Sequence, residues 1–279
     1  MPKEKLSYIM GNPPFVGYSL QSKEQKADIL SIYVDEKGKP YKTAGKIDYV
    51  AGWYFKASSL MHSTCIQTAF VSTNSITQGE QVASVWKPLF ERFGVHIDFA
   101  YRTFRWDSEA NQKAHVHCII VGFSTINNNS LKKLYNSENF QLVKNISPYL
   151  IASPNIFIES RKQPVSDVPN IIKGSGAVDG GHFFLTTAEK EMILKSEPKA
   201  EKYIKRFLGA RAILDARNLY PTCTLADLYD ELTMPPELRK AHQQNDLAVM
   251  NAYGFDRKIT ESECVAELMK MYQKLTSGK

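Results

Sequence analysis

The most constraining feature stands near the start of the chain. An apolar run, Leu6 to Met10, stops at Gly11 and leads straight into Asn12-Pro13-Pro14-Phe15-Val16-Gly17. The run reads as a buried strand ending in a rigid turn, because proline cannot donate to a sheet ladder. Such a strand delivers its turn to the carboxyl edge of a sheet, and open α/β sheets bind ligands in the crevice outside that edge. The turn offers an amide oxygen on Asn12, a backbone carbonyl on Pro13 held by the ring of Pro14, and an aromatic face on Phe15. Two acceptors can hold both hydrogens of an exocyclic amine while the phenyl ring stacks on the heterocycle. Stacking of this kind contributes about 1–3 kcal/mol per base, and each net hydrogen bond about 0.5–1.5 kcal/mol. The combination suits a flat, amine-bearing ring.

The following residues continue an α/β pattern. Gln21 to Gly45 is polar and lysine-rich and reads as a surface loop containing at most one helical turn. A helix is expected from Asp48, acting as N-cap, because Val50, Trp53, Tyr54, Ala57, Leu60 and Met61 share one helical face, with the aromatic pair Trp53 and Tyr54 expected in the core. Thr68 to Ser72 reads as a buried strand and Thr73 to Gly79 as a polar loop. The next helix, Glu80 to Phe93, should be kinked or interrupted by Pro88 and closed by Gly94. His96 to Phe104 and Ala114 to Phe123 then read as two strands. This order is the second half of a doubly wound sheet ending in an antiparallel hairpin.

From Asn145 prolines punctuate mixed segments, with a candidate strand at Asn155 to Glu159 and a glycine-rich loop from Lys173 to Gly181. A helix rich in bases is expected from Glu189 to about Arg217; it either tracks phosphates or is simply a solvated face. The tail is helical. Thr224 to Asp227 and Thr260 to Glu263 are capping-box-like starts, and Pro235-Pro236 opens a helix that Gly254 ends. Val265, Leu268, Met269, Tyr272 and Leu275 form one apolar stripe.

The net charge of +6 permits a polyanionic partner without demanding one. Four cysteines with no CxxC pair indicate neither a zinc ribbon nor a disulfide framework. With no signal-peptide pattern and no run of about 18 apolar residues, the chain reads as soluble and cytoplasmic. There is no GxxxxGK[ST] phosphate loop, HExxH or GxSxG elbow. His115 and His117 alternate on a strand, but no third ligand is near in sequence, so no metal site is expected.

The Asn12-Pro13-Pro14-Phe15 segment resembles the Asn-Pro-Pro-Phe motif of S-adenosylmethionine-dependent methyltransferases that modify the exocyclic amine of adenine in DNA. Ser72 to Glu80 and Thr103 to Ala110 resemble the loops after the next two strands in the gamma class, most closely the MmeI-like single-chain restriction-modification enzymes. The resemblance implies that Asn12, Pro13, Pro14 and Phe15 are catalytic and that Asn74 and Phe104 line the pocket of a flipped base. On the residues alone, Asn74 reads first as an Asx-type turn residue, and Phe104 and Trp106 read equally as plugs at the end of the hairpin. The glycine loop stretch resembles the opening of the family's target-recognition region, and Ile213 to Tyr229, Met234-Pro235 and Ala252 to Gly254 its C-terminal helical region.

The expected architecture is therefore a partial Rossmann-like class I methyltransferase sheet over residues 1–145, a partial target-recognition region over 146–210 and a helical C-terminal region over 211–279. The implied cofactor is S-adenosylmethionine and the implied partner double-stranded DNA. In this family the glycine-rich cofactor loop precedes the Asn-Pro-Pro motif, whereas only eleven residues precede Asn12 here. The expectation is a truncated catalytic domain that lacks the cofactor loop; a second polypeptide supplying the cofactor-binding half and a displaced loop at Gly174 to Gly181 are the alternatives left open. Two rival readings stand beside it: a methyltransferase acting on an RNA base or a protein glutamine, and a non-catalytic DNA-binding or subunit-docking remnant.

Overall fold

The structure, a computed structural model, describes residues 3–107, 115–126, 130–170, 180, 182, 184–205, 228–230 and 232–277. By packing, the chain divides into one unit of Met1–Val168 with Ile259–Lys279 and a second of Pro169–Lys258. The division expected at 145 and 210 rests on motif resemblance, and the two do not coincide, because the last helix packs with the first unit.

The first unit is built on one sheet of β1 (Tyr8–Gly11), β2 (Gln67–Thr73), β3 (His96–Asp107), β4 (His115–Ser124), β5 (Lys132–Asn136) and β6 (Asn139–Val143). The strand order is β1-β2-β4-β3-β5-β6. β1 runs parallel to β2, β4 lies antiparallel between β2 and β3, and β5 returns parallel to β3 before turning into β6. The expected α/β sheet with an antiparallel hairpin is present, but it is the second strand of that hairpin that pairs with β2. The β5–β6 hairpin was not expected. Its turn, with Ser137 at φ 55°, lacks the Asn-Gly or Asp-Gly pair that marks such turns in a sequence.

The two faces of the sheet differ. Phe70, Ser72, Ile119, Val121 and Phe123 are buried beneath α2 (Val50–Met61) and α3 (Gly79–Phe93). Tyr54 of α2 stacks on Phe123 at 5.1 Å and meets Phe70 and Trp86 edge-on at 5.3 Å each, and its hydroxyl lies 2.5 Å from that of Ser72. Burial raises the Tyr54 phenol well above its ordinary pKa, so it stays neutral as the centre of the core. On the opposite face Val71, Ile120, Phe99 and Tyr101 are only half-buried, and Tyr8 and Met10 of β1 are 67% and 81% exposed. The expectation of a buried first strand is thus corrected: β1 is an edge strand. An apolar run is buried only where a neighbour covers it, and among the described residues no strand lies beyond β1.

Local expectations fail at identifiable points. Within Gln21 to Gly45 the chain forms α1 (Lys23–Ile32), nucleated by a capping box in which Ser22 and Gln25 satisfy each other's backbone amides. Ile29 of α1 is fully buried. Trp53, placed with Tyr54 in the core, is 48% exposed. Pro88 does not interrupt α3, which runs unbroken to the left-handed cap at Gly94. Asn155 to Glu159 forms no strand.

In the second unit the long basic helix is shorter than expected. α4 (Thr187–Ser196) ends at Glu197, whose φ of −140° is not helical, because Pro198 disfavours the helical conformation in the residue before it. A 3₁₀ segment, Pro198–Lys202, follows. The remaining bases of that helix, Arg206, Arg211 and Arg217, lie outside the described residues, as do most of the glycine loop and the capping box at Thr224. α5 (Pro236–Tyr253) opens on the expected proline and ends at Gly254, φ 72°. Back in the first unit, α6 (Glu261–Thr276) carries the expected Thr260–Glu263 capping box. It buries Met269, with Val265 and Tyr272, against Ile151 and Ile156.

Candidate active site

β1 ends at Gly11, level with Phe70 of β2, so the turn begins at Asn12 at the carboxyl end of β1 while β2 runs on to Thr73. Asn12 and Pro14 are exposed, Pro13 is buried and Phe15 is half-buried. The Val16 amide donates to the Pro14 carbonyl at 3.2 Å, which tightens the turn. Among the described residues no donor reaches the Asn12 side chain or the Pro13 carbonyl. The Asn12 side chain is thus exposed and without a protein partner, while Pro13 is buried within the turn.

Asn74 opens a 3₁₀ turn, Asn74–Thr77, directly after β2. Its carbonyl accepts from the Thr77 hydroxyl at 2.8 Å, whereas its side-chain amide makes no hydrogen bond among the described residues. An Asx-type role for that side chain is thus not seen. Phe104 stands opposite Cys118 on β4, and Cys118 stands opposite Thr73 on β2, so Phe104 belongs to the same end of the sheet. Three strand spacings separate β1 from β3, about 14 Å at ~4.8 Å per strand. Asn12, Asn74 and Phe104 thus follow or lie near the ends of strands of one sheet, β1, β2 and β3 respectively. The side chain of Trp106 lies outside the described residues.

One residue that motif reasoning assigned elsewhere links two of these parts. Asp48, expected to cap α2, does not do so; Tyr49 holds the N-cap position with no side-chain hydrogen bond. The buried Asp48 carboxylate instead accepts the Tyr18 amide at 2.9 Å, the Ser75 hydroxyl at 2.5 Å and the Gln81 side-chain amide at 3.2 Å. The Asp48 amide donates back to Gln81 Oε1, and the Tyr49 amide donates to the Val16 carbonyl at 2.9 Å. Gln21 then reaches the Ile47 carbonyl at 2.9 Å. The segment after the turn is zipped onto residues 47–49, and the same carboxylate holds the loop after Asn74. Partners 27 to 33 residues distant leave no local signal, which is why Ser75 and Gln81 were overlooked.

A cavity of ≈ 470 Å³ lies elsewhere in this unit, between β3, the β5–β6 hairpin and the start of α6. Arg102 lines it and ties α6 to the sheet, donating through Nε to the Leu150 carbonyl and through Nη1 to Ser262. Among the described residues no three His, Cys, Asp or Glu side chains gather as a metal site.

Residues 1–136 match the family model described as MmeI, DNA-methyltransferase domain, and residues 197–278 that of MmeI, C-terminal domain. The chain belongs to the MmeI-like DNA methyltransferase family. It is 40% identical over 203 residues to DNA methyltransferase A of Bacillus subtilis (strain 168), covering 73% of this chain and 22% of the relative. It also superposes on the solved structure of the Type IIL restriction-modification enzyme MmeI in complex with DNA, with a TM-score of 0.74 and 28% identity, over 99% of this chain and 58% of that one. The chain thus spans less than two thirds of either MmeI-like relative.

Proposed function

We propose that this chain forms the base-handling half of a methyltransferase that moves a methyl group from S-adenosylmethionine to the exocyclic amine of adenine in double-stranded DNA, within a restriction-modification system. The observation that carries the reading is the pair of unpartnered acceptors on Asn12 and Pro13, fixed at the carboxyl edge of β1 beside the half-buried ring of Phe15. Membership of the MmeI-like family and the likeness to a DNA complex of MmeI support it.

The adenine must leave the helical stack before its amine can reach this edge, at a cost of a few kcal/mol. Asn12 Oδ1 and the Pro13 carbonyl then each accept one amine hydrogen, turning the nitrogen lone pair out of the ring plane and raising its electron density. Phe15 stacks on one face of the base, and Asn74 and Phe104 close the site. No nucleophilic side chain is needed; orientation and electrostatics carry the rate. The methyl donor supplies an electrophilic carbon, and the amine proton leaves to solvent.

Among the described residues no glycine-rich turn follows a strand on the β1 side of the sheet, and most of the loop at Gly174 to Gly181 lies outside them. The open edge of β1, with the uncovered face of Tyr8, Met10, Val71 and Ile120, is where further parallel strands and their helices fit, whether from a longer form of this chain or a second polypeptide. Residues 146–210 are assigned to DNA reading and 211–279 to the helical C-terminal region.

Asn12→Ala tests the reading. In whatever assembly contains the chain, methylation of duplex DNA, read as N6-methyladenine by mass spectrometry of digested DNA, should fall below detection while the melting temperature stays unchanged. Retained methylation, or methyl groups found only on RNA or on protein, would sink it.

A further inference from the structure

We infer that Asp48 is a positioning residue for the proposed methyl-transfer site. Its carboxylate sets the spacing between the acceptor turn at Asn12 to Phe15 and the loop that starts at Asn74. The inference rests on the reading given under "Proposed function" and adds to it a residue that touches neither base nor donor.

The turn at Asn12 and the loop at Asn74 come from different βα connections, so nothing in the covalent chain fixes their separation. Asp48, two residues ahead of α2, contacts both the segment that follows the turn and the loop after β2. Oδ1 accepts the Tyr18 amide, four residues after Pro14, and Oδ2 accepts the hydroxyl of Ser75, next to Asn74. Ser75 in turn lies 2.9 Å from the Thr73 hydroxyl at the end of β2. Gln81 of α3 grips Asp48 from below through both its side-chain nitrogen and oxygen. Asp48 is only 7% exposed, and no lysine, arginine or histidine of the described residues lies within ion-pair distance of it. A buried carboxylate without a counter-ion is held by its hydrogen bonds alone, and such charge-assisted bonds are the strong ones. A role confined to capping α2 would have used the carboxylate at the helix N-terminus, which is left without a side-chain bond.

An asparagine can reproduce the arrangement. Its oxygen would accept from Tyr18 and Gln81, and its amide would donate to Ser75, whose proton turns toward Thr73. Alanine cannot. Asp48→Asn and Asp48→Ala therefore separate geometry from charge. Two measurements on the full chain decide the matter. In hydrogen exchange, Asp48→Ala should speed exchange at least tenfold in peptides covering both 12–18 and 73–78, leaving 96–104 and 115–124 at the wild-type rate, and Asp48→Asn should restore both loops. In the methylating assembly, Asp48→Ala should lower kcat roughly 100-fold, the size of effect expected from a misplacement of about 1 Å, with KM for the methyl donor within threefold; Asp48→Asn should recover most of the rate.

Loosening of only one loop, or of the whole sheet, would overturn the inference, as would an Asp48→Asn variant as impaired as Asp48→Ala. The exchange arm keeps the two proposals apart. If Asn12→Ala retains methylation while Asp48→Ala still frees both loops, the chemistry assigned to the site is wrong and the coupling stands.

Discussion

Gly122 on β4 faces Phe99 on β3 as a cross-strand pair, and the ring lies flat over the glycine. A Cβ added at Gly122 would sit 2.1 Å from Phe99 Cε1, 2.4 Å from Cδ1 and 2.6 Å from Cζ. Ordinary carbon contacts are about 3.5–4.0 Å, so the ring must retreat by roughly 1.5 Å. Phe99 is only half-buried, and its way out leads to the uncovered face of the sheet. Swinging out would expose on the order of 100 Å² of apolar area, or about 2.5 kcal/mol at ~25 cal/mol/Å². Alanine returns roughly 0.5–1 kcal/mol over glycine in a strand, so Gly122→Ala should destabilise by about 1.5–2 kcal/mol. In a Phe99→Ala background the clash disappears and the same substitution should become stabilising by that 0.5–1 kcal/mol. Urea unfolding followed by tryptophan fluorescence gives all four corners of the cycle. The three tryptophans, Trp53, Trp86 and Trp106, all lie in the first unit, so the signal reports that unit alone. Additive effects within about 0.5 kcal/mol would show that the ring does not rest on Gly122 and would refute the reasoning.

Trp86→Ala removes a fully buried indole that donates to the Ile76 carbonyl at 2.9 Å, and should cost about 3–5 kcal/mol in the same urea assay; a loss under ~1 kcal/mol would show that the core can collapse around the gap. The Glu263 carboxyl is held below the usual carboxylate range by hydrogen bonds from the Thr260 hydroxyl and amide. A pKa that is lower folded than unfolded gives stability present above the unfolded value and lost as pH falls through the folded one. Wild type should therefore exceed Glu263→Gln in stability at neutral pH and converge with it in acid, in melts run from pH 7 to pH 3; a gap that stays constant would place the cap's contribution elsewhere.

What could be read from the sequence was local. The Pro13-Pro14 turn, β2, α3 and the glycine caps at Gly94 and Gly254 follow from residues within a few positions of one another, and the structure has each of them. Asp48 was misassigned because an aspartate ahead of an apolar stripe is a good capping signal, while its actual partners are Tyr18, Ser75 and Gln81, two of them beyond α2. β1 was misjudged for a related reason: Tyr8, Ile9 and Met10 are as apolar as any buried strand, and burial depends on what lies alongside. The β5–β6 hairpin was missed because its strands are only five residues each and the apolar residues that alternate with Asn139 and Gln141, Phe140 and Leu142, lie exposed and outside the core.

These misreadings share a physical cause that bears on how the site is made. A turn rigid enough to aim two acceptors must have its backbone held from outside, since Pro13 and Pro14 fix only their own φ angles. The chain does so from beneath and behind, through residues 47–49, and not through β1, which is itself an exposed four-residue edge strand. The acceptor turn is therefore prepared by α2 and α3 before anything pairs with β1. If the turn is the base site proposed above, any segment that pairs with β1 meets it already held in place.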